Sequence, residues 1–457
     1  MAKYDAIVIG AGQAGPSLAV RLAGARRRVA LIERHKLGGT CVNTGCTPTK
    51  TFVASAYAAH LCRHAADFGV GIDSAIRVDM KRVKARKDAV VNASVESLDH
   101  WLHERPNLDL HWGHARFVGP HAVMVGDLQL EAEQIFINVG GRPSVPGLPG
   151  VDSVPYLDSD AMMNIDMLPA HLIVVGGSYV GLEYAQMFRR FGSEVSVVEM
   201  GPRLIGREDA EVSDAVADIL RGEGVAIRTQ AKCVALHRAG EGVAVSVDCN
   251  EGAPRVEGTH VLLAVGRTPN TDDLGLDHAG IEVNERGFIN VNEQLETTRH
   301  GVYALGDCNG RGAFTHTAYN DYEIVADNLL GKGLRSVKDR LPCYGLFIDP
   351  PLGRVGMSES EARQAGHKLL IGKRPMSRVA RAREKSETQG FIKIVVDAES
   401  NRILGASILG LSGDEVVHSL LDAMYAKLPY TAVQRGVRIH PTVSELIPTV
   451  LGELSPA

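Results

Sequence analysis

The sequence lacks the features that would tie it to nucleic acid, to a bilayer or to an oxidising compartment. Lys and Arg number 49 against 54 Asp and Glu, a net charge of -5, so the basic footprint that nucleic acid or anionic lipid demands is missing. The longest apolar runs, such as residues 172–175 and 261–265, are strand-sized, far short of the roughly 20 residues that cross a bilayer. No apolar signal region or cleavage site precedes the first strand-like segment, and the expectation is a cytoplasmic protein. Cysteine is scarce, seven in 457 residues. Cys41, Cys46, Cys62, Cys233, Cys249, Cys308 and Cys343 form an odd, thinly spread set, which excludes a secreted disulfide framework. Low-complexity segments are absent as well. What is present, 45% apolar and 23% charged residues, belongs to an ordinary globular chain. Its length suits two to four domains, with three the central expectation.

The organisation is repeated. An apolar run at residues 4–9 ends in Gly10-Ala-Gly12-Gln-Ala-Gly15, then a helical pattern and a second run close at Glu33. Residues 172–175 end in Gly176-Gly-Ser178-Tyr-Val-Gly181, followed by a helical pattern and a strand closing at Glu199. In each copy the acidic residue lies 23 positions after the first glycine. A strand, a glycine turn, a helix N-terminus and a distant acidic residue are what a dinucleotide needs: a tight turn, close backbone approach to the pyrophosphate, and a hydrogen-bond acceptor for a ribose. The second copy has Ser178 in place of the middle glycine. Glu199 favours NADH, since a carboxylate would repel a 2'-phosphate; Arg203 and Arg207 nearby read as solvated loop charges that could weaken the preference, so NADPH stays possible.

Two Pro/Gly-rich exits, Val139-Gly140-Gly-Arg-Pro143 and Val265-Gly266-Arg267-Thr-Pro269, bracket the middle unit. Tyr303-Ala-Leu-Gly306-Asp307 then reads as a return to the first. The fold class expected is α/β: two Rossmann-like dinucleotide-binding domains, 1–145 with 272–340 and 146–271, plus a C-terminal α+β domain over 341–457. Strands are expected at 391–396 and 403–409, and a helical stretch at 413–427.

Cys41 and Cys46 lie at the start of what reads as the next helix. Five helical residues rise about 7.5 Å, whereas disulfide-bonded Cα atoms sit about 4.4–6.8 Å apart, so a bond between them needs a non-ideal first turn. Gly45 and Pro48 make such a turn accessible. Constraint combined with a helix N-terminus gives the character of a labile, redox-active pair. Two weaker features read as structural. His60 and His64 share a helix face that Cys62 does not, and no metal site is assigned; Cys308 reads as a small buried residue.

These motifs together resemble the pyridine nucleotide-disulfide oxidoreductases, the flavoprotein disulfide reductases that include dihydrolipoamide dehydrogenase, glutathione reductase and mercuric reductase. The likeness spans essentially the whole chain and includes Gly39-Thr40-Cys41 through Lys50, Gly176 to Glu183, Gly266 to Asn270, Asp307, and His440-Pro441-Thr-Val-Ser-Glu445. It implies FAD on Gly10, Gly12, Gly15 and Glu33, with Asp307 on the ribityl chain. The implied cofactor contacts are completed by Gly39, Thr40, Gly140, Gly306 and Gly266, and on the nicotinamide side by Gly176, Ser178, Gly181 and Glu199. Cys46 would be the sulfur against the flavin and Cys41 the outer interchange thiol. Lys50 would pair with Glu183 beside the flavin, and Tyr179 would gate the nicotinamide pocket. His440, oriented by Glu445, would act as the acid-base group and reach the site from the other subunit, so a homodimer with shared active sites is implied.

The implied reaction passes electrons from NADH through FAD and the Cys41-Cys46 disulfide to an acceptor. Residues 46–50, Ser178, Arg381-Ala382 and Thr388-Gln-Gly-Phe-Ile-Lys393 look most like mercuric reductases and their relatives. Two departures pull the other way. No cysteine follows Cys343, whereas typical mercuric reductases carry a C-terminal cysteine pair, and His440 with Glu445 marks disulfide-reducing members. The acceptor is therefore a metal ion such as Hg(II) or Cu(II), or a small disulfide. Dihydrolipoamide dehydrogenase is the alternative enzyme, and a flavin-bearing redox sensor without turnover the alternative of another class; a transhydrogenase would have no need of the cysteine pair.

Overall fold

A computed structural model describes residues 1–232, 234–248, 254–331 and 333–457. Cys233 and Cys249 fall outside the described residues. The N-terminal apolar run forms β1 (Ala2–Ile9), the glycine turn leads into α1 (Gly15–Gly24), and β2 (Val29–Glu33) returns parallel to β1. Every residue of β2 is buried, as a parallel strand covered on both faces requires. Three helices follow, α2 (Gly39–Asn43), α3 (Cys46–Arg63) and α4 (Met80–His103), before β3 (Leu108–Trp112) joins β2. An antiparallel meander, β4 (Ala115–Gly119), β5 (Ala122–Val125) and β6 (Leu128–Ile137), brings the chain back beside β1.

After β7 (Gly141–Pro143) a second parallel sheet repeats the plan: β8 (His171–Val175), α5 (Tyr179–Phe191), β9 (Glu194–Val198), α6 (Ala210–Gly222) and β10 (Ala226–Arg228). A small antiparallel sheet of β11 (Ala235–Ala239), β12 (Gly242–Ser246) and β13 (Arg255–Gly258) interrupts it before β14 (His260–Leu263) pairs with β8. β15 (Arg267–Pro269) runs antiparallel to β7, so the outward and return crossings lie side by side. β16 (Val302–Ala304) adds to β6 in the first sheet, and α7 (Thr315–Leu329) follows.

The last part is an antiparallel sheet of β17 (Cys343–Leu346), β18 (Leu352–Gly356), β19 (Leu369–Pro375), β20 (Phe391–Asp397), β21 (Ile403–Leu409) and β22 (Ser455–Pro456), in the order β17-β18-β21-β20-β19-β22. The single helical stretch expected at 413–427 is two helices, Gly413–Val416 and His418–Tyr425. Both expected strands are present. The fold class is thus α/β with two parallel-sheet nucleotide units and a C-terminal antiparallel-sheet unit. Fully buried side chains such as Ile7 and Phe136 in the first sheet, and Phe188 on α5, stabilise it by about 1.5–3 kcal/mol each.

The second unit is fastened to the third by buried charge. Arg190 on α5 pairs with Glu223 and Asp349, each at 2.7 Å, and Gln186 on the same helix both donates to and accepts from the Asp349 backbone. Lys393 on β20 meets Asp209 at 3.0 Å, Glu211 at 2.6 Å and Glu359 at 2.8 Å. Glu208 accepts the Tyr344 hydroxyl and lies 3.4 Å from Arg354. Removing one member of such a cluster strands an uncompensated charge, a loss of about 3–5 kcal/mol.

Candidate active site

The first glycine turn is shaped by contact with β6. Gly10 adopts φ +102°, and a Cβ there would sit 2.3 Å from the Asn138 carbonyl oxygen. A Cβ on Gly15 would sit 2.1 Å from the Gly10 oxygen, so α1 starts against the turn only because both positions lack a side chain. Glu33, at the end of β2, accepts from the Ala11 N–H and the His35 N–H, each at 2.8 Å. Its carboxylate is thereby fixed at the mouth of the turn. From here a cavity of about 1090 Å³ runs past Thr40, Cys46 and Asp307 to Tyr179, beyond the roughly 300–1,000 Å³ usual for a small-molecule site. Gly12 and Gly39 keep it open: a Cβ on Gly39 would come within 2.9 Å of the Gly12 Cα. The long cavity, the bare backbone and the helix N-terminus fit a dinucleotide.

The cysteine pair is not on one helix start, as the sequence suggests. Cys41 belongs to α2, the chain breaks at Thr44 and Gly45, and Cys46 opens α3. The break folds Cys46 back against Cys41; a Cβ on Gly45 would sit 2.9 Å from the Thr40 oxygen, so a bulkier residue would force the two helices apart. Both cysteines are unpaired here and close enough to interact. Their electrostatics diverge. The hydrogen bond from Cys41, helped by the Thr315 hydroxyl and the Lys50 ammonium, brings Cys46 down to about 6. The same sulfur contact, together with burial, pushes Cys41 well above the ordinary thiol range.

Lys50, one turn along α3 from Cys46, donates to Glu183 on α5 at 2.8 Å. The other Glu183 oxygen accepts from the Phe347 N–H at 3.0 Å, and the ammonium lies 4.5 Å from the Phe347 ring centre. Tyr179 packs edge-on against Tyr344 at 5.3 Å and Phe314 at 6.2 Å, an aromatic wall on the same cavity. Asp307 lies 3.8 Å from Arg267, and burial raises its carboxyl. Gly140 and Gly306 also line the cavity. Cys308 is fully buried against the carbonyls of Ile137 and Leu305, and burial pushes its thiol up to about 12.

The remaining residues lie elsewhere. Gly176, Ser178, Gly181 and Glu199 form a second turn off the cavity, in which a Cβ on Gly176 would sit 2.3 Å from the Ala264 oxygen and Glu199 accepts from Gly177 and Gly201 N–H groups. Gly266, at φ +123°, stands at the return crossing. Arg203 pairs with Asp214 at 3.4 Å, both half exposed. The His60 and His64 rings lie 4.2 Å apart with their planes tilted, and among the described residues no three His, Cys, Asp or Glu side chains gather as metal ligands. His440 Nδ1 lies 2.9 Å from Glu445 Oε2, away from Cys41. The imidazole is 74% exposed and follows Val437 and Ile439, which are 97% and 80% exposed.

Three residues of the site escaped sequence reading. Asn138 accepts from the Gly15 N–H and donates to the Leu305 carbonyl, each at 3.0 Å, tying α1 to the end of β16. A polar residue closing an otherwise apolar run was its signal. Thr315 contacts Cys46, and Tyr344 backs Tyr179; neither carries a local signal, because each meets its partner only through the fold.

A glycine turn above a cavity, a polarised thiol pair inside it and a second nucleotide turn beyond an aromatic wall define a pyridine-nucleotide-linked dithiol oxidoreductase. The chain belongs to the pyridine nucleotide-disulphide oxidoreductase family, matched over residues 4–321, and carries that family's dimerisation domain over residues 344–451. The probable pyridine nucleotide-disulfide oxidoreductase RclA of Escherichia coli K12 is 39% identical, over 97% of this chain and 98% of that protein. A dihydrolipoyl dehydrogenase of Thermus scotoductus is 33% identical over 97% and 96%. The structure of a Cu(II) complex of the HOCl-induced flavoprotein disulfide reductase RclA superposes with a TM-score of 0.90 at 38% identity, covering 99% of both chains. Enzymes of this family use FAD and NAD(P)H, and this protein is an FAD-dependent oxidoreductase of that kind. Among the described residues no helix is long and apolar enough to cross a membrane.

Proposed function

We propose that this enzyme uses NADH to reduce a thiol-reactive acceptor, a metal ion of the Cu(II) or Hg(II) class, at Cys41. The observation that carries the reading is the placement of the pair: both cysteines line the cavity, with Cys46 against the Thr315 hydroxyl and one turn from the Lys50–Glu183 ion pair, which together favour the charge on Cys46. The likeness to an RclA structure holding Cu(II) supports the acceptor class. Gly10, Gly12, Gly15 and Glu33 would hold FAD by its adenosine half and Asp307 by its ribityl chain, and when bound it would supply hydride uptake from the nicotinamide and two-electron delivery to the disulfide.

The chain's own residues then divide the work. Opening the Cys41-Cys46 bond with two electrons and one proton leaves a thiolate on Cys46 and a thiol on Cys41. Lys50, held by Glu183, balances the charge on Cys46. Tyr179 covers the nicotinamide side until the coenzyme displaces it, and Glu199 selects a free 2'-hydroxyl. Because its surroundings hold Cys41 protonated, that thiol needs an outside base before it can attack. A carboxylate only accepts, so Glu445 fixes the proton on His440 Nδ1 and leaves Nε2 free as that base. His440 reaches Cys41 from the other subunit of a homodimer, which accounts for its distance from the cavity in one chain and for the exposed Val437 and Ile439 beside it. The odd, sparse set of cysteines suits a reducing, cytoplasmic setting. A small disulfide as acceptor is the second reading, favoured by the His440-Glu445 dyad.

Anaerobic NADH titration of the purified protein, followed by NADH turnover with Cu(II), Hg(II), oxidised lipoamide and glutathione disulfide, tests this. Uptake of two hydride equivalents with a long-wavelength thiolate-to-flavin band, lost in Cys46→Ser, and fastest turnover with a metal ion are the expected results. One equivalent without the band would refute the dithiol mechanism, and fastest turnover with a disulfide would select the second reading.

A further inference from the structure

Cys46 stands where two helices begin. It is the first residue of α3, 18 residues long, and faces Thr315, the first residue of α7, 15 residues long. The Thr315 Oγ1 lies 3.3 Å from the Cys46 sulfur. Since a thiolate can only accept, the hydroxyl is the donor whenever Cys46 is charged. The titratable and charged groups around that sulfur are Cys41 from α2, Lys50 from α3 and Glu183 from α5, and the favourable contributions come from the Cys41 thiol first, then Thr315, then Lys50. Of these, Cys41 leaves when it attacks the acceptor and Lys50 is shared with Glu183. The Thr315 hydroxyl is also near Cys41, but its hydrogen bond by distance and angle is the one to Cys46.

We infer that Thr315 is a positioning residue for the reduced pair: from the start of α7 its hydroxyl donates to Cys46 and keeps the charge on that sulfur instead of on Cys41. The inference rests on the proposed reading of Cys46 as the flavin-side sulfur. It explains why the outer thiol depends on an outside base, because the charge is already held elsewhere. It also divides the labour between the two helix starts: α3 orients the sulfur and α7 supplies the donor.

The test is a pH titration of the NADH-reduced holoenzyme in wild type, Thr315→Val and Thr315→Ser. Two readouts are taken, the long-wavelength band and the partition of a brief iodoacetamide label between Cys46 and Cys41, read by peptide mass spectrometry. In Thr315→Val the midpoint of the band moves up by about one pH unit, the order expected for one hydrogen bond to a charged group. The Cys46 share of label below neutral pH falls by about tenfold over the same interval. Thr315→Ser, which keeps the hydroxyl, retains the wild-type midpoint and partition. Should the valine variant fail to hold flavin, Thr315→Ala carries the same expectation. Equal midpoints and equal partition in wild type and the valine or alanine variant would overturn the inference. A wild type that lacks the band overturns the flavin-side reading, while the label partition still decides whether Thr315 holds the charge on Cys46.

Discussion

The two nucleotide turns are built alike but fastened differently. Gly10 and Gly176 have φ of +102° and +114°, and a Cβ at either would sit 2.3 Å from the carbonyl of the strand alongside. Gly15 and Gly181 match to 2.1 Å, and Glu33 and Glu199 each clamp a turn N–H. The residue behind the turn, one past the end of the adjoining strand, is Asn138 in the first and Ala264 in the second. Asn138 hydrogen-bonds α1 to the end of β16, whereas an alanine has nothing to offer. The middle position is bare at Gly12 and carries the exposed hydroxymethyl of Ser178 in the second. One turn is thus bonded into its unit from behind and bare in front; the other is neither. That difference suits one site to a resident cofactor and the other to a coenzyme that must come and go.

The largest expected effect comes from breaking the shared element. Gly10→Ala forces a side chain onto the Asn138 carbonyl at a positive φ, and the purified protein should carry no flavin absorbance. Gly176→Ala meets the same obstacle at the second turn, but flavin should remain while KM for NADH rises at least about tenfold, about 1.4 kcal/mol of lost binding. Asn138→Ala leaves a buried N–H and a buried carbonyl unpaired; thermal denaturation should show a loss of about 2–4 kcal/mol and easier flavin release. Glu199→Gln removes the negative charge, and the kcat/KM ratio of NADPH to NADH should rise about tenfold. Ser178→Gly should do least, lowering KM for NADH about twofold with flavin content unchanged.

Both turns were legible in the sequence because a dinucleotide constrains residues that are close together along the chain. After each leading strand, three small residues and an acidic residue fall within 24 positions, and the helix and strand limits follow from that constraint. The cysteine pair was legible from spacing, but its geometry was not, since the break at Thr44 and Gly45 depends on where α2 meets the first turn. Asn138 could be seen only as a polar end to an apolar run. Thr315 lies 269 positions from Cys46 and Glu183 lies 133 from Lys50. The latter pair was predicted through a family resemblance; the former had no such guide, because residue type and periodicity hold no record of contacts made across units.

Glu183 has a consequence for anyone who would rebuild this enzyme. Its two oxygens join three separate stretches of chain, Lys50 from the first unit, its own helix from the second and Phe347 from the third. Arg190, Glu208 and Asp209, farther along the second unit, each join it to the third. A chimera that imports a foreign coenzyme module by cutting at the obvious crossings, near 143 and 267, would therefore carry away one half of every junction. Grafts that retain positions 183, 186, 190, 208 and 209, or transplant 50, 344, 347, 349, 354 and 393 along with them, would keep the seams closed.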